Sequence, residues 1–413
     1  MSSQKFLPSS VLSTDRFGAR YRWVILSIGV AAQASFAAAF SGLPVTGVLM
    51  RSAYQMTTGQ LGLVLGCMAL GVTFSEVIWG LLTDRFGDRK VLLTGLLTTG
   101  AALLSLAMLV VPTGSKVPSY LLLGAGLVLV GILGGSVNSS SGRAIMGWFT
   151  DGKRGLAMSI RQTAIPAGGA VGAALLPWLA QRFGFQAVFG VLAVFCVLSA
   201  LATWFWLHEQ PLPEVSISNQ VANGPTPLYR LDVWRLAIAS GLLTAPQIAV
   251  LAFGGIFLHD HKAAGLALIS GVIVVVQVSG SIARIVIGHY SDRGADRRTL
   301  VRAIGLLAAA STLALALFAD ASIYWVASLL FLSGLAASAW HGVAYTEIAT
   351  MAGATRAGTA LGVIGMTIFA SAFITPALIP LLLSASSWPI TWGVIAFAAL
   401  LAVPVSPKRS SNV

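Results

Sequence analysis

Six ionisable side chains stand inside long apolar runs: Glu76, Arg143, Arg161, Arg284, His341 and Glu347. A charge at mid-membrane costs about 2.5–3.5 kcal/mol on insertion scales, so each is a functional candidate. Arg284 is the most informative. It precedes Asp292 by about 12 Å of helix at a rise of 1.5 Å per residue, which puts it well inside a bilayer. Gly280 and Ser281, one turn earlier, leave space beside it, and Gln277 is two turns earlier on the same stripe. A planar guanidinium matches the two oxygens of a carboxylate. Arg284 therefore either binds an anion or forms an intramembrane salt bridge, with Glu76 the obvious partner. Glu76, placed before Asp84 as Arg284 is before Asp292, either carries a coupling proton or pairs permanently with a base. Glu347 and Arg143 lie near polar ends. Snorkelling or a gate ion pair suits both better than substrate contact, with Glu347 also a proton-coupling candidate.

The elements that hold these groups follow from composition. Of 413 residues, 56% are hydrophobic and only 9% charged, against about a quarter charged in a soluble domain. A water-facing surface cannot be built from this pool, which excludes a cytosolic enzyme, a disordered regulator and a secreted disulfide scaffold. Twelve apolar runs are long enough to cross a membrane, at about 23–50, 58–83, 89–112, 120–149, 155–182, 185–207, 233–258, 264–291, 298–319, 322–351, 357–384 and 388–405. Their continuity, without period-two alternation, predicts helices and not a barrel. With the N-terminus in the cytoplasm, 18 of the 25 Lys and Arg fall in inside segments and four outside (Arg51, Lys116, Arg182, Lys262). That asymmetry predicts that both termini are cytoplasmic. The basic excess then faces anionic lipid, and no nucleic-acid partner is needed. The polar N-terminal stretch reads as a tail and not a cleaved signal. Cys67 and Cys196 both lie in apolar runs, so neither a disulfide framework nor a metal site is expected. No nucleotide-binding or metalloprotease motif occurs, so ATP-driven transport by this chain alone, hydrolytic catalysis and a resident cofactor are not expected.

The predicted organisation is a tail (1–22), a six-helix bundle (23–207), a proline-rich linker (208–232), a second six-helix bundle (233–405) and a short tail (406–413). The halves repeat. Gly80-Leu-Leu-Thr-Asp84-Arg85-Phe-Gly-Asp88-Arg89-Lys90 follows span 2, and Gly288-His-Tyr-Ser-Asp292-Arg293-Gly-Ala-Asp296-Arg297-Arg298 follows span 8 at a constant offset. Parallel repeats of six spans are a transporter architecture.

The first motif resembles, almost letter for letter, the loop signature of the major facilitator superfamily, and the second resembles its degenerate copy. The resemblance covers the whole chain. It implies an all-α membrane protein of two pseudo-symmetric bundles with a central cavity, working by alternating access, one path being complete within a monomer. In that family the motif belongs to the conformational gate, so Asp84, Arg85, Arg89, Asp292 and Arg293 carry over as gate residues. Arg143 is their candidate ion-pair partner. The alternative is that these charges only anchor short loops at the lipid surface.

The stretch from Gly280 through Arg284 to Asp292 resembles span 8 of the oxalate/formate antiporters and monocarboxylate transporters, where an arginine at this spacing binds the substrate carboxylate. The oxalate carriers add a lysine in span 11, and the comparable stretch Gly362–Phe369 has no charge. That departure favours a monocarboxylate over a small dicarboxylate. Spans 5 and 8 adjoin in the superfamily fold, and Arg161 lies at a depth near that of Arg284. Two unpaired arginines there would repel, and an anion would relieve them. Arg161 is thus a second substrate cation or part of an inner gate, the alternative being a tie to a backbone carbonyl or to Glu347. An offset of 203, from aligning Pro177 with Pro380, sets His341 opposite Asn138. Histidine titrates near neutral pH, so His341 could couple protons, donate to substrate, or simply pack. Gln33 and Phe36 of span 1 are further cavity candidates. The expected function is secondary transport of a small organic anion by proton symport or anion exchange. The rivals are a proton-coupled exporter of drugs or metabolites and a non-transporting membrane sensor.

Overall fold

The computed structural model describes residue 18 and residues 20–114, 116–150, 152–209 and 226–408. Most of the predicted N-terminal tail, the middle of the linker and the end of the C-terminal tail lie outside the described residues. Lipid offers backbone groups no partner, so a spanning chain must bond to itself, and no strand forms among the described residues. Eleven apolar segments qualify by length: Tyr21–Ala53, Gly59–Phe86, Asp88–Leu109, Tyr120–Trp148, Arg154–Trp206, Leu231–Lys262, Ala267–Ser291, Arg297–Leu317, Ile323–Ala352, Ala357–Ala385 and Trp388–Val405. The 53-residue segment is two crossings. At Gly184 the backbone takes φ 73° and ψ −176°, a left-handed position that glycine tolerates. It turns span 5 into span 6 there, and twelve spans result.

Polar residues punctuate the spans. Thr57 and Gln60 form a capping box at the start of span 2, Ser119 caps span 4 and Asp296 caps span 9. Four of the described spans are interrupted, span 1 by a tighter turn at Leu43–Thr46. Span 4 breaks at Gly135, between Tyr120–Gly134 and Ser136–Trp148. Span 5 breaks at Thr163, after Arg154–Gln162, and span 10 breaks at Trp340, between Ile323–Ala339 and His341–Ala352.

Packing divides into three cores. One lies almost wholly in the first half, with Phe36, Leu92, Leu103 and Phe189, and one wholly in the second, with Phe257, Leu330 and Trp392. The third straddles both, joining Ile145, Phe149 and Met158 to Trp340, Val343, Leu361 and Ile364. Span 2 lies along span 11, span 5 along spans 8 and 10, and span 4 against span 11. The outward surface keeps large apolar side chains exposed, Phe74, Leu109 and Trp325 among them, as a bilayer-facing surface requires.

Candidate functional site

The end of the molecule that carries the repeated motif is sealed by two related contacts. Asp84 closes span 2 and reaches the first turn of span 11, accepting from the Gly358 and Thr359 backbone N–H groups at 2.8 and 2.7 Å and from Thr359 Oγ1 at 2.6 Å. Asp292, after span 8, accepts from the Gly155 and Leu156 N–H groups of span 5, both at 2.8 Å. First-turn N–H groups have no helical partner and carry the positive end of the helix dipole, so each carboxylate caps a helix of the other half. Arg143 of span 4 lies 3.3 Å from Asp84 and 2.8 Å from Asp88.

The other expected gate cations lie off this seam. Arg85 is exposed and stacks on Phe86. Arg89 binds the Trp204 carbonyl at 2.5 Å and covers the Trp204 ring, within its own half. Arg293 is exposed, and Arg297 takes the place beside Asp292, at 3.4 Å. Repetition in sequence could not tell which motif cation turns inward, because the loop's path decides it.

Deeper in, two guanidinium groups meet neutral partners. Arg161 is fully buried. Its Nε donates to Ser141 Oγ at 2.9 Å, and its Nη2 to Asn138 Oδ1 (2.8 Å), the Asn138 carbonyl (2.7 Å) and Gln33 Oε1 (3.0 Å). All of these belong to the first half. Arg284, also buried, crosses the boundary: Nε donates to the Ser338 carbonyl of span 10 at 2.9 Å and Nη1 to the Gln162 carbonyl of span 5 at 2.8 Å. Among the described residues no carboxylate is in ion-pair contact with either group, so the alternative bridges of Arg284 to Glu76 and of Arg161 to Glu347 do not form, whereas the alternative tie of Arg161 to a backbone carbonyl does, at Asn138. Glu76 attracts Arg161 without touching it. Glu347 is bound instead to Arg298 at 2.7 Å, with both side chains little exposed.

Glu76 is fully buried; Ser139 Oγ donates to its Oε2 at 3.3 Å, and Oε1 has no partner. Span 11 lies directly over it, since a Cβ at Gly365 would stand 2.6 Å from Glu76 Cδ and 2.8 Å from Asn138 Nδ2. That contact leaves no room for a charged side chain at Gly365. His341 does not oppose Asn138. It stacks on Trp340 at 3.8 Å and its Nδ1 lies 3.2 Å from the Ser338 carbonyl, the oxygen that also receives Arg284. Tyr345, one turn on, takes the expected place: Asn138 Nδ2 donates to its hydroxyl at 3.4 Å, and Arg161 stands 6.0 Å from its ring centre. Both Asn138 and His341 follow a helix break, Asn138 the one at Gly135 and His341 the one at Trp340. Gln277 is half-buried. Phe36 packs in the first-half core, and Phe40 instead meets Phe369 of the second half, edge to face at 5.2 Å.

Several buried polar atoms around these residues are unpartnered: Arg161 Nη1, Glu76 Oε1, both side-chain ends of Gln162, and Trp340 Nε1. Each such group costs about 1–3 kcal/mol, and native proteins hold few. Other unpartnered buried atoms, on Arg143, Arg297 and Trp392 among others, lie elsewhere in the described residues. Sequence reasoning missed Gln162, although it adjoins Arg161, and the Phe40–Phe369 pair, which has no signal in either span alone.

Twelve crossings in two similar halves, with buried arginines at their common boundary, define a multi-pass membrane protein. The chain belongs to the Major Facilitator Superfamily, whose family pattern matches residues 30–369. An uncharacterized MFS-type transporter of Mycobacterium tuberculosis is 31% identical over 96% of this chain and 87% of that one. Multidrug resistance protein MdtG of Yersinia enterocolitica is 26% identical over 62% of this chain and 61% of its own length. A probable sulfoacetate transporter of Cupriavidus necator is 28% identical over 46% of this chain and 45% of its own. Among solved structures, the proton:xylose symporter XylE superposes with a TM-score of 0.76 at 14% identity, covering 94% of this chain and 95% of that one, which shows the shared fold.

Proposed function

We propose that this transporter is a secondary carrier of a small organic anion, a monocarboxylate in particular, working by alternating access as a monomer with both termini in the cytoplasm. One observation carries the reading: Arg161 and Arg284, buried at the boundary between the halves, spend their hydrogen bonds on neutral groups. Arg161 Nη1 is buried without a partner among the described residues, and the bonds of Arg284 engage its Nε and Nη1. Two donors, one on each bundle, suit the two oxygens of a single carboxylate better than two separate acid groups. Asn138, Gln33 and Gln162 fix the cations, and Tyr345 and His341 lie beside them. The relative named as a probable sulfoacetate transporter supports an organic anion in general, since sulfoacetate carries both a sulfonate and a carboxylate.

The caps at Asp84 and Asp292 close the motif end in this arrangement, which the charge distribution assigns to the cytoplasm. Release needs both caps to break, and an anion that binds the two arrangements unequally biases their populations. Glu76 is the candidate for a coupling proton in a symport cycle, and exchange needs no such group. Glu76 also favours a second reading, a proton-coupled exporter of cationic drugs, in line with the multidrug relative. A thermal-shift screen of carboxylic acids and organic cations on purified protein separates the two. A specific ligand stabilises by mass action. The expected result is stabilisation by particular monocarboxylates that is lost in Arg284→Lys and Arg284→Ala. Equal shifts in all three proteins would reject the role of the arginine.

A further inference from the structure

The bond from Arg284 Nη1 falls on a Gln162 carbonyl that no helical N–H competes for. In an uninterrupted helix it would accept from the N–H four residues on, and that residue is Pro166, which has no N–H. The ladder is otherwise kept: Thr163 donates to the Ser159 and Ile160 carbonyls at 3.2 and 3.1 Å, and Ala167 donates to Thr163 at 3.1 Å. Pro166 sits in the first turn of the helix that begins at Ala164, where proline is tolerated without a kink. Its effect is therefore local, exposing the Gln162 carbonyl beside the buried arginine. On the other side Ser338 ends its helix at Ala339, where last-turn carbonyls also lack helical donors. Arg284 is held between two carbonyls that two helix breaks have released, one in each half of the molecule.

We infer that Pro166 is a positioning residue: by withholding the one backbone N–H that would claim the Gln162 carbonyl, it lets Arg284 latch the two bundles together at their centre. The latch engages Nε and Nη1, and an anion that draws the guanidinium away must break the contact to Gln162. Binding and loosening of the boundary are thereby one event. The latch itself is a property of the empty protein. Its meaning for transport rests on the anion reading above.

The test uses no substrate, so its failure is separate from failure of that reading. Met158 is fully buried in the core that joins the halves. With Cys67 and Cys196 replaced by serine, Met158→Cys is exposed to N-ethylmaleimide in purified protein. Loss of one hydrogen bond to a charged donor should raise the labelling rate about tenfold or more in both Pro166→Ala and Arg284→Ala. The double variant should label no faster than Arg284→Ala, because that change already removes the bond that Pro166→Ala breaks, along with the one to Ser338. Unchanged labelling in Pro166→Ala, or additive effects in the double variant, overturns the inference. A second form separates the ring from the missing N–H: at position 166 the alanine amide is replaced by the ester of the matching hydroxy acid, which also lacks the N–H. It should label like the parent, and labelling like alanine overturns the inference. If Pro166→Ala does not fold and the ester does, the N–H is confirmed as the harmful group. If neither folds, the ring is what the site needs and the inference falls.

Discussion

Removing the charge of Asp84 tests the seal at the motif end. In Asp84→Asn the side chain keeps its shape, but an amide NH2 replaces one of the oxygens that receive the Gly358 and Thr359 N–H groups. At least one hydrogen bond to a charged acceptor is lost, worth about 1.5–3 kcal/mol. The favourable placement of negative charge at the start of span 11 goes with it, up to ~2 kcal/mol. The variant also no longer dries a carboxylate, which offsets part of the sum. With Asp84 only 12% exposed, solvent screening is small. A net loss of about 2–4 kcal/mol shifts the balance between closed and open motif ends by a factor of roughly 30 to 700. Spin labels at Arg85 and Arg293, exposed residues of the two halves, report the separation by double electron–electron resonance. The distance distribution should move to longer values in Asp84→Asn, and further when Asp292→Asn is added. An unchanged distribution in both proteins would refute the capping argument.

Glycine and acid substitutions give two further checks. A Cβ on Gly342 would stand 1.8 Å from Ser159 Oγ and 2.7 Å from Ser159 Cα, so Gly342→Ala should lower the melting temperature and open the motif end, and Ser159→Gly should recover much of the loss; failure of that rescue would place the clash elsewhere. Glu76→Gln should abolish uptake driven by an imposed pH gradient while leaving counterflow exchange of the same acid intact in proteoliposomes, and retention of pH-driven uptake would remove Glu76 as the proton carrier.

What was legible in the sequence divides by physical range. Spans are a local property, because about twenty successive apolar residues already satisfy the bilayer, and so the twelve runs and the turn near Gly184 could be found from order alone. The depth of Arg161 and Arg284 is likewise a matter of counting residues along a helix. The repeated Asp84 and Asp292 motifs marked a seam for the same reason, since a loop of fixed length must lie where its helix ends. Partners were a different matter. Nothing in a one-dimensional pattern says that Arg284 reaches a carbonyl in span 5, that Tyr345 and not His341 faces Asn138, or that Glu347 belongs to Arg298. Those pairings depend on the rotation of each helix and on breaks at Gly135, Thr163 and Trp340, and a turn of one residue about a helix axis exchanges one neighbour for another. Sequence order determined which chemistry the membrane would hold, and at what depth; only the packing of the two halves decided which of those groups were satisfied and which were left with an unfilled bond.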